Sequence, residues 1–429
     1  MRKQMLATVC AALVMVAIPV IGVQNAHASI RPHDSVTYAG ITFTRPAGDT
    51  CQGPIIGAYG SSALKTYITT LAPLYCQFEI GPGGPFAGNP AAAPDVVYAS
   101  GGDSCPGDVY AGSDNTDPVL GLSDVFANAC VVEGFSLGPN AVTDNAAFVN
   151  LVQAVAPCPN ANVPQGGTIT AYAPSTQTPC TGGSIDPAVN PLGFCAPTNL
   201  SIAQANLLWN QKINNWSKIG GCNQPTTVDN RVAGSGTRVT WCFNVYSAGV
   251  DSCKNNGATT GPFGTTGAML TGICGPAGTT PGADGLDSIG YASRSGTLIS
   301  GQTGNPPNRT MTQCGIVALN GVSGWNGQCD PNNAASTGGS PSPLDGVSTC
   351  PGDLQVATDQ YQAWGYEHLV VASAVNSTNQ PAKDFVSWAT NPANDPGVTI
   401  RSTGFMQSCQ MGFKRSVDGG APSVQTATC

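Results

Sequence analysis

The chain has 429 residues, a length that suggests two or three domains and leaves ample material for a core. Only 9% of residues are Asp, Glu, Lys or Arg, against roughly 25% in an average soluble protein, whereas 41% are hydrophobic. Charge-driven disorder, coiled coils and long solvent-exposed helices are thereby excluded. The net charge of −8, with no basic block, excludes nucleic-acid or anionic-membrane binding by bulk electrostatics.

Taken in chain order, Arg2 and Lys3, an apolar run from Leu6 to Val23 and then Ala26-His27-Ala28 have the three parts of an export signal. Cleavage is expected before Ser29, making residues 1–28 a signal peptide. The apolar run is short for a stable span and ends in Gln24-Asn25. No later stretch is long and apolar enough to cross a bilayer, so a periplasmic or secreted protein without a membrane span is expected. Of 17 cysteines, Cys10 lies in the leader; the remainder, an even number, run from Cys51 to Cys429 with no CxxC. Only His33 and His368 remain as imidazoles after cleavage. Zinc and haem are therefore poorly supported, no cofactor is expected, and disulfides are the expected state of the cysteines. Cys314–Cys329 and Cys180–Cys195 are plausible pairs.

Residues 54–75 read as a buried strand, a Gly/Ser turn and a helix whose apolar face is Leu64, Ile68, Leu71 and Leu74. Asp95–Ser100 is a short strand running into Gly101-Gly102. Ala146–Val155 is apolar at helical spacing. Residues 158–197 look like loops stapled by disulfides. Leu200–Ile213 reads as a helix capped by Ser201. Thr226–Val228 is a short strand, followed by Gly234-Ser235-Gly236 and a helix from Thr237 to Tyr246. Residues 254–288 and 300–350 read as loops. Leu369–Ala374 is a strand, Ala382–Trp388 a helix and Val398–Ile400 a strand. Strands alternating with helices predict an α/β fold.

Two segments have the form strand, Gly/Ser turn, helix: Ile55–Ser62 and Val228–Arg238. The first amides of a helix have no internal partner and the helix dipole is positive there, so a chain with few cations can still hold an oxyanion. An ordinary N-capped helix produces the same turn. The second segment says more, because Arg231 precedes Ser235 by four residues and could bring a planar guanidinium to the same place.

The run LSIAQANLLWNQKINNWSKIGG followed by RVAGSGTR resembles the core of the phosphate-binding proteins that serve Pst-type ABC importers, with Trp216 and Arg231 as its specific residues. Further segments resemble parts of that family: Gly57–Ser62 its first phosphate loop, Ser100-Gly101-Gly102 its Ser-Gly-Gly loop, Ala111-Gly112-Ser113-Asp114 its Gly-Ala-Ser-Asp segment and, downstream, Asp287–Tyr291 its Gly-Ala-Ile-Gly-Tyr strand. The resemblance implies a type II periplasmic-binding-protein-like fold, two α/β lobes of mixed sheet flanked by helices, with disulfide-rich insertions. Lobe one would take residues 29–150 plus 360–429 and lobe two residues 151–359, closing by hinge motion. It implies a ligand set of Ser61, Ser62, Ser100, Asp114, Arg231, Ser235, Gly236 and Thr237 around phosphate or a similar oxyanion. Asp114 would be the buried carboxylate that accepts the ligand's proton and rejects sulfate. Ala233 replaces an acidic residue usual beside the arginine, leaving Arg231 less constrained. The implied protein is a monomeric carrier, not an enzyme, with an importer permease as partner. A phosphatase-like hydrolase and a disulfide-rich surface protein without ligand are the alternatives; Asp114 can also be a plain turn residue.

Overall fold

The structure is a computed structural model. It describes residues 35–157, 169–170, 184–185, 199–221, 223, 225–246, 260–274, 287–293, 314–321, 359, 361–374, 376, 378–391, 394, 406–407, 411–418 and 420–425. The export signal, the Cys180–Cys195 pair, Cys329 and the strand expected at Val398–Ile400 lie outside the described residues.

The chain forms a mixed α/β structure. A hairpin of β1 (Ser35–Tyr38) and β2 (Ile41–Thr44) precedes β3 (Ile55–Gly60), α1 (Lys65–Ile80), β4 (Asp95–Ala99), α2 (Ser104–Ser113), β5 (Val119–Ser123) and α3 (Ala127–Val132). The long β6 (Val142–Pro157) follows, then the two-residue strands β7 (Ile169–Thr170), β8 (Ser184–Ile185) and β9 (Asn199–Leu200). Next come α4 (Ile202–Trp209), β10 (Thr227–Arg231), α5 (Gly236–Trp241), β11 (Thr260–Phe263), α6 (Thr266–Cys274), β12 (Ser288–Ser293) and β13 (Cys314–Leu319). The C-terminal part holds β14 (Trp364–Ala372), α7 (Gln380–Ala389) and the short β15 (Met406–Gln407), β16 (Phe413–Lys414) and β17 (Ser423–Val424).

One sheet, in the order β11-β10-β12-β6-β14-β5-β3-β4, organises the molecule. At one end β4, β3 and β5 are mutually parallel, and at the other β11, β10 and β12 are parallel. Between them β6 and β14 run antiparallel. Residues Val142–Leu151 of β6 pair with β14, whereas its last residues pair with β12 and β13. Two apolar cores follow from this. One contains Ile56, Leu64, Tyr67, Ile68, Leu71, Leu122, Phe385 and Trp388; the other contains Leu208, Trp209, Trp216, Trp241, Met269, Ile289 and Tyr291. Phe148 and Leu369 belong to the first core, while Val152 and Trp364 belong to the second, so β6 and β14 are shared by both.

The helix expected at 146–155 is therefore part of a strand. Phe148 and Val149 are successive and both buried. A strand covered on both faces has no polar alternation, and its apolar run mimics helical spacing. The stretches read as loops at 254–288 and 300–350 contain β11, α6 and β13. Their high Gly content hid a helix whose Met269, Leu270 and Ile273 are fully buried. The helix expected over Leu200–Ile213 forms over a shorter stretch. Ser201 caps α4 in a reciprocal box with Gln204, and the helix stops at Trp209. Disulfides Cys51–Cys76 and Cys105–Cys130 are formed.

Candidate functional site

The parallel strands end together. β3 ends at Gly60, β4 at Ala99 and β5 at Ser123, and the loops that follow pack on one another; ligands in open α/β sheets gather at such carboxyl ends. The packing is close enough to demand glycine. A Cβ on Gly102 would lie 2.9 Å from the Gly60 Cα, and Gly60 itself has φ of 138°. The loop leaving β10 closes on the same place. The Cys105 amide donates to the Gly234 carbonyl at 3.0 Å, and a Cβ on Gly236 would lie 2.2 Å from Ser104 Oγ and 2.5 Å from Asp124 Cβ. The start of α5 thus abuts the start of α2 and the end of β5.

Arg231, at the end of β10, is 1% exposed. Its Nε donates to the Phe263 carbonyl (3.1 Å), one terminal nitrogen to Thr266 Oγ1 (2.6 Å) and the other to Asp103 Oδ1 (2.8 Å) and the Gly264 carbonyl (3.1 Å). The expected loosening by Ala233 does not occur. Asp103, before α2, supplies the carboxylate from another part of the sheet. Burial pushes the Asp103 carboxyl above its usual range, with Arg231 opposing the rise and Asp124 adding to it.

Asp124 directly follows β5 and is buried. Its amide donates to Ser104 Oγ at 3.0 Å, and its Oδ2 accepts from Thr237 Oγ1 at 3.3 Å. Its Oδ1 is buried and has no hydrogen-bond partner among the described residues. Ser235 caps α5 by accepting from the Arg238 amide, and Ser235 and Thr237 are both buried. Ser61 is buried as well; its amide donates to the Leu122 carbonyl at 2.8 Å and its Oγ accepts from the Ala63 amide at 3.1 Å. Ser61 and Thr237 thus both bond residues at or just after the end of β5, Gly236 packs there with Ser235 beside it, and Arg231 meets Asp103 ahead of α2. Ser62 is half-buried beside Ser61, and Ser100 lies on the adjoining loop with its side chain exposed.

Asp114 is not among them. It follows the last residue of α2, a helix of 10 residues whose opposite end holds Asp103 and Ser104, a separation of about 15 Å. Its Oδ1 accepts from the Thr116 amide (2.7 Å), Thr116 Oγ1 (2.8 Å) and the Asp117 amide (3.3 Å). Burial acts to raise its pKa, but these hydrogen bonds outweigh it and hold the carboxyl below its usual range. It is a turn residue. The buried carboxylate among these residues is Asp124, and the sequence carried its signal: Ser123-Asp124 repeats the Ser-Asp pair of Ser113-Asp114 at the end of a strand buried throughout. Asp103 and Thr266 were also missed, because nothing local to them indicates that Arg231 will arrive from 128 and 35 residues away, and so was Ser104, whose partner Asp124 lies 20 residues on.

Neither protein-family models nor curated protein sequences match this chain. Solved structures do. One from Clostridium perfringens, described as a phosphate ABC transporter substrate-binding protein with bound phosphate, aligns over 82% of this chain and 99% of its own at 12% identity and TM-score 0.46. An ABC-type phosphate transport receptor from Vibrio cholerae covers the same shares at 13% identity and TM-score 0.45. A phosphate-binding protein from Stenotrophomonas maltophilia covers 82% and 90% at 14% identity and TM-score 0.38. The likeness is one of chain outline and does not reach what this chain binds.

Proposed function

We propose that the protein is an exported carrier that binds inorganic phosphate, or a similar tetrahedral oxyanion, at the end of β5 and delivers it to an ABC importer. Binding without turnover is part of the reading. The observation that carries it is Oδ1 of Asp124, buried and without a partner among the described residues, on a carboxylate whose other oxygen accepts from the Thr237 hydroxyl. An unpaired buried carboxylate oxygen is costly unless a proton donor reaches it. Phosphate near neutrality keeps a proton on one oxygen, whereas sulfate keeps none. Hydrogen phosphate satisfies Asp124; sulfate would meet it as unrelieved repulsion.

The other groups supply the complementary half. Arg231 brings positive charge without hydration, and the amides of Gly236 and Thr237 open α5 where its dipole is positive. The hydroxyls of Ser61, Ser235 and Thr237 are buried donors within reach of the same strand ends. The two cores joined by β6 and β14 support a division into lobes at about 150 and 360, with closure by flexing of those shared strands. A hydrolytic role finds no support at His368. It is fully buried against Phe126, with ring centroids 4.4 Å apart, and burial lowers its pKa to about 3.

Calorimetric titration of the purified protein with phosphate and with sulfate tests the reading. Phosphate is expected to bind roughly 10⁴-fold more tightly, the scale reached by sites built around a ligand hydrogen bond. Equal affinity for both ions overturns it.

A further inference from the structure

The C-terminal stretch 411–418 starts in the second core and ends on the loop that carries Asp124. Met411 is fully buried in the second core. Arg415 stacks over the Trp364 ring at 4.1 Å. It donates to the Trp364 carbonyl (2.7 Å), Asn244 Oδ1, Asp359 Oδ1 (3.2 Å) and the Gln362 carbonyl (3.1 Å). Three residues later Asp418, itself buried, accepts the Phe126 amide on Oδ2 at 2.8 Å, a bond spanning 292 residues of sequence. Asp144 at the start of β6 accepts the next amide, Ala127, at 3.3 Å. The Phe126 ring lies against His368 and Tyr366 of β14, with centroids at 4.4 and 6.2 Å. The segment Asp124–Ala127 is therefore fixed at its first amide by Ser104 and at its last two by carboxylates from distant parts of the chain.

We infer that Asp418 is a positioning residue for Asp124: by holding the Phe126 amide it fixes the backbone two residues beyond the carboxylate, and so the direction of Oδ1. Arg415 anchors the strap in its turn by fastening it to β14, a strand shared by both cores. The acceptors that hold both amides come from outside the loop. A carboxyl oxygen at 2.8 Å satisfies a buried backbone donor, and deleting it leaves that donor without its partner. The effect on ligand choice rests on the phosphate reading; the hold on the loop does not.

The test compares the full-length protein with Asp418→Ala and Asp418→Asn by amide hydrogen exchange and by titration with phosphate and sulfate. In Asp418→Ala, exchange at Phe126 is expected to accelerate at least about tenfold, and the phosphate-to-sulfate affinity ratio to fall about tenfold. Asp418→Asn keeps an oxygen acceptor of the same reach. It is expected to restore both, with the Phe126 amide proton resonance shifted by the change of acceptor from carboxyl to amide. Unchanged exchange at Phe126 in Asp418→Ala overturns the inference. So does accelerated exchange with an unchanged affinity ratio in a protein that selects phosphate. If Asp418→Ala does not fold, an unmoved Phe126 resonance in Asp418→Asn overturns it instead. If the unsubstituted protein selects neither ion, the phosphate reading fails, and exchange at Phe126 still decides whether Asp418 holds the loop.

Discussion

Two aspartates in this chain each follow a serine, and their surroundings give them opposite chemistry. Asp114 spends one oxygen on three local donors, which stabilise its charge and close a turn. Asp124 spends one oxygen on Thr237 and leaves the other buried and, among the described residues, unpaired. Asp114→Asn is therefore expected to cost about 1 kcal/mol of stability in a denaturant titration, with phosphate affinity unchanged. Arg231 is the other residue on which the site turns. Arg231→Met leaves Asp103 without its cation, so a loss of about 3–5 kcal/mol of stability is expected, together with loss of measurable phosphate binding. Arg231, Ser235 and Thr237 were legible because Arg-x-x-x-Ser-Gly-Thr lies within one strand and one helix start. Asp103 was not, since its role exists only once β4 and β10 are brought to one face.

Elements place these residues by close contact between glycines and helix starts. Gly236 tolerates no Cβ, because Ser104 Oγ would stand 2.2 Å away and Asp124 Cβ 2.5 Å away. Gly236→Ala is expected to push α5 off α2 and to lower phosphate affinity at least tenfold by calorimetry. Ser201→Ala, at the cap of α4, should cost about 1 kcal/mol and leave that affinity unchanged. Caps of this kind were readable, since Ser201 and Gln204 stand three apart before an apolar run. β3 with α1, and β10 with α5, were readable for the same local reason. β6 was not, because its identity as a strand comes from being sandwiched between β14 and β12. Likewise α6, among glycines and threonines, takes its apolar face from the core it covers rather than from a marked periodicity.

At the scale of the whole molecule, buried carboxyls govern the response to pH. Burial is the leading cause that raises Asp108, Asp144 and Asp103 above their usual range, Asp418 to about 7 and Asp117 to about 6. A carboxyl raised in the folded state holds a proton there that the unfolded chain has released. Its contribution is thus fully present below its unfolded value near 3.8 and is lost as pH rises through the folded value. His368 works in the opposite sense: with its folded value near 3, its contribution is present above about 6.5 and is lost as pH falls. Several carboxyls oppose one histidine, so the melting temperature is expected to rise as pH is lowered from 8 to 5, and a flat or falling profile would count against these assignments. Asp108→Asn, which needs no proton, should raise the melting temperature at pH 8 and flatten the profile. The alternation of strands and helices made the α/β class legible, but the sharing of β6 and β14 between two cores depends on pairings hundreds of residues apart. The most direct measurement is the phosphate-to-sulfate affinity ratio of Asp124→Asn beside that of the unsubstituted protein. Loss of most of the preference for phosphate, with the fold intact, is the expected result; a ratio unchanged by the substitution would contradict the assignment of Asp124 as the acceptor of the ligand's proton.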